Sequence, residues 1–503
     1  MPIRMTGLNS GMDTESIISE LMKAYRTKSD NIEKKQTKLG WTQDAWKSLN
    51  KKVYGFYTNI SNLKYSSAYS LKKCSVSDQT KANVTASGNA VTGVQKLNVL
   101  STAQSGYLTG AKLDSSIKKD TLMSSLGVSG DDTTLNVKLG DGTTNEVKIA
   151  STDKISDVLS KLKEAGVNAN YDENNRRFYI SAKKSGAEGD FEITGADANG
   201  KALIDKLGLN TSPSDSTKEA AVKIDGQDAV IKLNGVEYTN TTNSFSINGL
   251  NINVTGVTGA DDDDAITIST SVDSQGIYDK VKDFLTEYNN IIKEMSTLYN
   301  ADSAKGYDPL TEDEKESMTD SEVEKWETKI KDSLLRKDST LNTIMSSMSS
   351  AMSKVYEVNG KKYSLASFGI STLSYFSSAT NEKGAYHIDG DSDDANTSGN
   401  TDKLMEAINN DPDTVVDFMK QVATGLYDAI DKQMKSTTLS SAYTIYNDKQ
   451  MQTEYNNYTT TLKEWETKIS DKEDYYYKKF SAMETALGKL NSSSSYFSSM
   501  LGQ

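Results

Sequence analysis

Apolar residues recur every seven positions at both ends of the chain. From Ile18 the steps fall on Tyr25, Ile32, Leu39, Trp46, Val53 and Ile60, and from Tyr455 they fall on Leu462, Ile469, Tyr476, Met483, Leu490 and Phe497. Such a repeat keeps one stripe of a helix turned toward a partner helix, so each end is expected to form one long helix carrying a coiled-coil seam. Three residues further on, the companion line of the first helix reads Leu21, Lys28, Lys35, Thr42, Leu49, Phe56 and Leu63. In the second helix it reads Tyr458, Trp465, Lys472 and Lys479, and apolar residues resume one place later at Phe480, Leu487 and Leu501. Lys28, Lys35, Thr42, Lys472 and Lys479 thus mark stretches with half a seam. Burying a large apolar side chain gains roughly 1.5–3 kcal/mol, while ordering one residue's backbone costs roughly 1–2 kcal/mol. Half-seamed stretches should therefore order only with further partners, although a long helical hairpin closing a soluble domain is the plainer reading.

The first helix is expected over residues 12 to 66, with Asp13 or Thr14 as its cap and Gly40 and Gly55 as weak points. From about residue 76 to 272 the period drops to two. Short alternating runs centre on Val84, Leu97 to Val99, Leu135 to Val137, Phe178 to Ile180, Phe191 to Ile193, Ala229 to Leu233, Phe245 to Ile247, Ile252 to Val254 and Ile266 to Ile268. Gly, Asn and Asp punctuate them, as hairpins require. Lys154 to Ala165 interrupts the strands with Ile155, Val158, Leu159 and Leu162 at helical spacing, which makes a strand, strand, helix, strand, strand unit over about 133 to 195. The acidic run Asp261 to Asp264 reads as a solvated hairpin tip, with calcium binding as the sharper alternative.

Helix returns after Ser274, where Val281, Phe284, Leu285, Tyr288, Ile291, Ile292 and Met295 share a face. Thr319 with Glu322 forms a capping box before Trp326, Ile330 and Leu334. A further helix is expected over Leu341 to Val355, a less regular stretch that is strand-like in part over Lys361 to Ile388, a polar loop over Asp391 to Gly399, and a helix pair over Thr401 to Asn409 and Asp413 to Lys435.

The 503 residues suffice for three or four domains. Only 36% are hydrophobic and 25% are charged, with 33 Gly and 4 Pro, which suits a molecule with much surface. A net charge of -13 with no basic patch argues against nucleic acid. Cys74 is the single cysteine, excluding an intramolecular disulfide, and His387 is the single histidine, excluding most histidine-based metal sites. Any Ser-His-Asp triad would need His387, whose setting is a short strand running into a turn. Asp389, Asp391 and Asp393 imitate a calcium loop, but Asp394 stands where Gly is needed and Asn400 where a bidentate Glu would close it. The acidic residues, 70 in all, make carboxylate pairs inevitable, and nothing singles one out for glycoside hydrolysis. No catalytic, cofactor-binding or metal site is expected. Residues 1 to 11 lack the apolar core of a secretory signal, and no stretch approaches the ~18 apolar residues of a membrane span.

The opening Met5-Thr6-Gly7-Leu8-Asn9-Ser10-Gly11-Met12-Asp13-Thr14-Glu15-Ser16-Ile17-Ile18, followed by Leu21-Met22, closely resembles the start of the flagellar filament-capping proteins, the hook-associated protein 2 or FliD family. Lys479 to Leu487, then Leu490 to Phe497, looks like that family's C-terminal signature. Gln227 to Ala229, Leu233 to Val236, Asn243 and Gly249 to Ile252 resemble its β-domain. Ser271 to Asp273, Val281 to Phe284, Tyr288-Asn289, Asp308 to Thr311, Trp326 to Lys329 and Leu334 to Asp338 resemble its helical domain. The unit at 133 to 195 is similar to the insertion motif shared by flagellins and hook-associated proteins. The Asp391 to Gly399 insertion departs from the pattern.

The resemblance implies an α+β multidomain fold: antiparallel terminal coiled-coil helices, a helical-bundle leg and two β-rich head domains. Residues 1–50 and 451–503 would be the terminal domain, 51–75 and 275–450 the leg, 76–111 and 218–274 one head, and 112–217 an inserted outer head. It also implies a cap at the distal tip of the bacterial flagellum, exported by the flagellar type III route without a cleaved signal. There a ring of identical subunits, commonly five, would retain exported flagellin and promote its folding into the filament. The implied partners are further copies of itself, flagellin, filament-tip junction proteins and an export chaperone, with no nucleic acid and no membrane insertion. Half-seamed helices would let the terminal pairs pack and release as each flagellin is added. An extracellular adhesin meeting a host or mucosal surface is the alternative, and an enzyme is not expected.

Overall fold

The computed structural model describes residues 10–129, 133–374, 376 and 378–502, so the opening Met5 to Asn9 of the family-like motif lies outside the described residues. The chain divides into two compact units, Met1–Tyr69 with Ser274–Gln503, and Ser70–Asp273. The first unit begins with α1 (Thr14–Leu63), a single helix of 50 residues whose Asp13 side chain accepts from the Ser16 N–H. That cap satisfies one of the donors a helix start leaves unpaired. Neither Gly40 nor Gly55 interrupts α1.

The second unit holds two separate cores. Its strands are β1 (Lys72–Val76), β2 (Ala82–Ala86), β3 (Gly93–Ser101), β4 (Tyr107–Thr109), β5 (Thr133–Leu139), β6 (Thr144–Ile149), β7 (Val167–Asp172), β8 (Arg177–Ala182), β9 (Phe191–Gly195), β10 (Val222–Ile224), β11 (Ala229–Leu233), β12 (Val236–Asn240), β13 (Ser244–Ile247), β14 (Leu250–Val254) and β15 (Ile266–Val272). Helix α2 (Ile155–Glu164) links β6 to β7, and α3 (Ala198–Lys206) follows β9. A five-stranded sheet, β1-β15-β3-β11-β12, and a three-stranded sheet, β13-β14-β2, enclose Leu97, Val99, Ile231, Phe245, Ile252 and Ile268. The sheets β10-β4-β8-β7 and β6-β5-β9, with α2 and α3, enclose Leu135, Ile155, Leu162, Tyr171, Phe178 and Ile180. Every strand pair is antiparallel, which gives the period-two burial seen in the sequence. Asn234-Gly235 and Asn248-Gly249 turn β11 into β12 and β13 into β14 with positive φ at both residues. That backbone suits the twist of a two-residue hairpin.

The acidic run corrects one expectation. Asp262–Asp264 forms a single turn between β14 and β15, which belong to different sheets, so it is a crossover and not a hairpin tip. Asn98, buried beneath it, donates to the carbonyls of Gly259 and Asp261. Cys74 lies half-buried on the edge strand β1, with Sγ 3.2 Å from Thr270 Oγ1.

The first unit resumes with α4 (Ser274–Tyr299), α5 (Glu312–Glu316), α6 (Asp320–Asp332) and α7 (Ser339–Met352). Strands β16 (Tyr356–Val358) and β17 (Lys361–Tyr363) pair, as do β18 (Ile370–Thr372) and β19 (Tyr386–Ile388). Helices α8 (Lys403–Asn410), α9 (Pro412–Gln433) and α10 (Asp448–Leu501) complete the chain. The expected capping box opens α6, with the Thr319 side chain accepting from the Glu322 N–H and Glu322 accepting from the Thr319 N–H. The core gathers the inner faces of α4, α7 and α9 around the C-terminal half of α1: Phe56 stacks on Phe284 at 6.3 Å, and Tyr57 on Tyr427 at 4.4 Å. At Gly425 the close approach leaves no space for a side chain unless the Tyr356 ring shifts, since a Cβ would stand 2.1 Å from its hydroxyl.

Candidate assembly interface

Helices α1 and α10 run antiparallel, because their partners climb one helix while descending the other. Ser10 meets Glu484, Arg26 lies 4.0 Å from Glu473, Gln36 meets Thr459, and Asn50 meets Ile445 just before α10. Seven-residue stepping places Ile18, Trp46, Val53 and Ile60 fully inside, and Tyr25, Ile32 and Leu39 half-buried. On α10, Tyr455, Leu462, Ile469, Tyr476 and Met483 are half-buried. Val53 and Ile60 belong with Phe56 and Tyr57 to the bundle core formed with α4 and α9, so α1 serves two packing partners in succession.

The companion line differs from the three-residue spacing. Lys28 and Lys35 are exposed, as are Lys472 and Lys479, and the Thr42 hydroxyl turns back to the Lys38 carbonyl. Between Ile18 and Gln43 the inward line lies four residues on, at Met22, Ser29, Gln36 and Gln43, with half-buried Asn50 after it, while from Trp46 onward the three-residue line is buried at Leu49 and Phe56. Met22 and Gln43 are buried, and Ser29 and Gln36 are half-buried. A seven-residue line can take its second row at +3 or at +4, and the side on which the partner lies decides between them. On α10 the row changes from Tyr458 and Trp465 at +3 to Glu473, Phe480 and Leu487 at +4. The seam is half polar, as expected, but through different residues.

These polar residues are held across the seam. Gln36 Nε2 donates to Thr459 Oγ1 at 2.6 Å, and Gly40 leaves room for the Tyr455 ring, 3.6 Å from where a Cβ would sit. Asn50 donates to the Tyr443 carbonyl at 3.2 Å and accepts from the Ile445 N–H at 2.9 Å, pinning the α9–α10 connection to α1. Three of the lysines outside the seam lie near aromatic faces: Lys28 Nζ is 5.5 Å from the Trp465 ring centre, and Lys472 and Lys479 are 5.5 Å and 4.9 Å from that of Tyr475. A hydrogen bond between Lys479 and Tyr475 lowers the phenol's pKa and raises the ammonium's. Lys34 donates to Glu314 of α5 at 2.7 Å. Burial alone would raise the Glu314 pKa, but the Lys34 ammonium and the Thr311 N–H bring it below the ordinary value.

Past Gly488 every described side chain of α10 is exposed, including Leu490 and Phe497 of the seam at 66% and 62%.

His387 lies elsewhere, in β19, with Nδ1 2.5 Å from Asp394 Oδ2 and Nε2 3.8 Å from Glu382 Oε2. Asp391 and Asp393 both meet Lys282 at 2.7 Å. The imitation calcium loop is thus tied down by a lysine, and the described residues hold no group of three or more acidic, His or Cys side chains arranged for a metal.

Residues 226–492 match the family model of the flagellar hook-associated protein 2 C-terminus, and residues 10–106 match that of its N-terminus. The chain belongs to the flagellar hook-associated protein 2 family. A flagellar hook-associated protein 2 from Halalkalibacterium halodurans is 24% identical over 450 residues, 84% of this chain and 80% of its own length. Another, from Thermotoga maritima, is 25% identical over 362 residues, 71% of this chain but only 53% of the relative. The D1-D2-D3 domains of the flagellar cap protein FliD from Escherichia coli align with a TM-score of 0.48 at 20% identity, covering 83% of this chain and 95% of that one. The adhesin reading finds no support among these relatives. The two matched segments of the hook-associated protein 2 family supply α1, α10, the bundle and the sheets of the Leu97 core, while the lobe around Phe178 falls between them.

Proposed function

We propose that this chain is a flagellar filament cap: a ring of identical subunits at the distal tip that retains exported flagellin and promotes its folding into the filament. The observation that carries the reading is the terminal helix pair, joined through a seam whose second row is Ser29, Gln36, Gln43 and Asn50, and continued by exposed apolar residues at the end of α10. A polar row weakens a coiled coil while fixing its register, which suits helices that must pack, release and pack again as subunits are added. The exposed stripe offers the surface on which neighbouring copies or filament subunits would pack. Within this reading the terminal pair, the leg and the two heads are separate working parts, and the chain reaches the tip through the flagellar type III channel, served by an export chaperone and seated on filament-tip junction proteins.

The test is filament growth in a capless strain complemented with the full chain, beside the mass of the purified chain by light scattering at several concentrations. Restored filaments and a closed oligomer are the expected results. Flagellin lost to the medium despite normal export of the chain would overturn the reading.

A further inference from the structure

We propose that the groove between strands β9 and β10 captures a short extended segment of another polypeptide, one alternating apolar with cationic side chains, by adding it as a strand. This deepens the retention role proposed above and rests on it. The groove, about 700 Å³, is lined by β9, by α3 from Lys201 to Asp205, by the turn from Leu209 to Ser214, and by Lys223 and Asp225.

Two strand edges that carry no further strand border it, and on β9 the outward N–H of Phe191 already donates to the Asp190 carboxylate. In β9 the carbonyl of Asp190 accepts from Gly140, and the N–H of Ala196 donates to Thr134. Antiparallel pairing alternates, so Glu192 and Thr194 bond to β5, and the N–H and C=O of Ile193 turn away from it. In β4 the same alternation, anchored by Gly110 on Phe178 and Ala182 on Gly106, gives Leu108 to β8 and Tyr107 and Thr109 to β10. The N–H and C=O of Lys223 then turn outward from β10. Among the described residues no strand pairs with the free edge of β9 or of β10. Exposed backbone of this kind is a template for a further strand, and a segment of about five residues at roughly 3.3 Å each matches β9 in length.

Side chains set the chemistry of the occupant. Leu108, Phe191, Ile204 and Leu209 are buried beneath the groove and would receive alternate apolar side chains. Around it stand the carboxylates of Asp190, Glu192, Asp205 and Asp225 against the ammonium groups of Lys201 and Lys223. Lys223 is already committed to Asp190 and Asp225. The surplus is negative and favours lysine or arginine on the incoming strand. The groove lies in the lobe between the two segments that the family models match.

The experiment titrates the full-length chain with a fluorescent capped hexapeptide, Lys-Val-Lys-Val-Lys-Val, and with its Glu-Val counterpart. The basic peptide should bind at least about tenfold more tightly than the acidic one. Ile193→Pro, which removes the outward N–H, should weaken it about tenfold, the equivalent of one lost hydrogen bond, and Ile193→Val should leave it unchanged. Because proline can disturb β9 itself, amide exchange is followed in the unmodified chain, where peptide should slow exchange at Ile193 and Lys223. No binding, equal binding of both peptides, or exchange unaltered at those two amides overturns the proposal. Light scattering and complementation of the same variants report on the cap separately, so a chain that still caps filaments while ignoring the peptide rejects the groove alone.

Discussion

Glu484 accepts two hydrogen bonds from Ser10, one from the backbone N–H at 3.2 Å and one from the hydroxyl. Glu484 is buried on a helix whose neighbouring positions are open to solvent, and Ser10 precedes the cap of α1 by three residues. The pair is therefore a clasp that ties the start of α1 to a point on α10 that lies short of that helix's end. Hydrogen bonds to a charged acceptor contribute roughly 1.5–3 kcal/mol, and Glu484→Ala should remove about that much from the first turns of α1. Amide exchange over residues 14 to 22 should accelerate at least tenfold in the variant. Exchange as slow as in the parent chain would show that the clasp holds nothing.

The polar row of the seam makes the opposite prediction. Gln36→Leu with Gln43→Leu should stabilise the helix pair, since two apolar side chains replace amides facing α10 and Thr459 keeps its bond to the Tyr455 carbonyl. A gain of about 1–3 kcal/mol is expected, read as a higher melting temperature of α1 and α10. Filament elongation should slow in the same variant, because helices that must repack would be held too firmly. Faster or unchanged elongation with the higher melting temperature would separate seam strength from growth.

How far the sequence carried the argument depended on where the deciding information lay. The line through Ile18, Trp46 and Tyr455 was legible because it rests on side-chain polarity alone. Its second row was not, because Gln36 looks like surface until Thr459, 423 residues away, is set beside it. Period-two runs located many of the strands but not β1, β4, β10 or β12, whose apolar residues are few or lie at sheet edges. Nothing in the run Phe191 to Ile193 says that it has one edge without a further strand, since an edge is a property of the assembled sheet. The Asp261 to Asp264 run looked like a hairpin because its flanking strands are adjacent in sequence, yet they join different sheets.

Acid should loosen the Asp391 to Gly399 loop. Burial tends to raise the Asp394 pKa, but hydrogen bonds from His387 and from Asn396 bring it below its ordinary 3.8. A carboxylate with a folded value below the unfolded one stabilises the fold above pH 3.8 and loses that contribution as pH falls through the folded value. Asp394→Asn should flatten the acid side of the stability profile, measured by denaturant midpoint against pH. An unchanged acid limb would mean that other carboxylates govern it.

The alkaline limb belongs to tyrosines of the helical unit. Burial, then the carboxylates of Asp402 and Asp391, push Tyr278 up to about 12. Burial and hydrogen bonds to Tyr427 and Asp431 push Tyr57 higher still. Phenols in the unfolded chain ionise near 10.0, below the folded values, so their contribution is complete below that pH and is lost as pH rises above it. Tyr57→Phe with Tyr278→Phe should lower stability at neutral pH and flatten its decline above pH 10, followed by tyrosine absorbance and helicity together.

The outer end of α10 separates folding from assembly. Leu490 and Phe497 continue the seam but have most of their surface in solvent, and no described residue of the chain covers them. Surface substitutions of this kind shift stability by no more than about 0.5 kcal/mol, so Leu490→Lys with Phe497→Lys should leave the melting temperature of the isolated chain where it was. Apolar stripes at the end of a helix invite packing by another helix, and two ammonium groups there would each be desolvated on docking. The double variant should therefore dissociate into smaller species in light scattering and fail to restore filaments in a capless strain. If it assembles and caps normally, the stripe is dispensable and the ring must be held by contacts elsewhere in the subunit. If instead the melting temperature drops by several degrees, the stripe already packs within the isolated chain, and its role is to hold the terminal pair together.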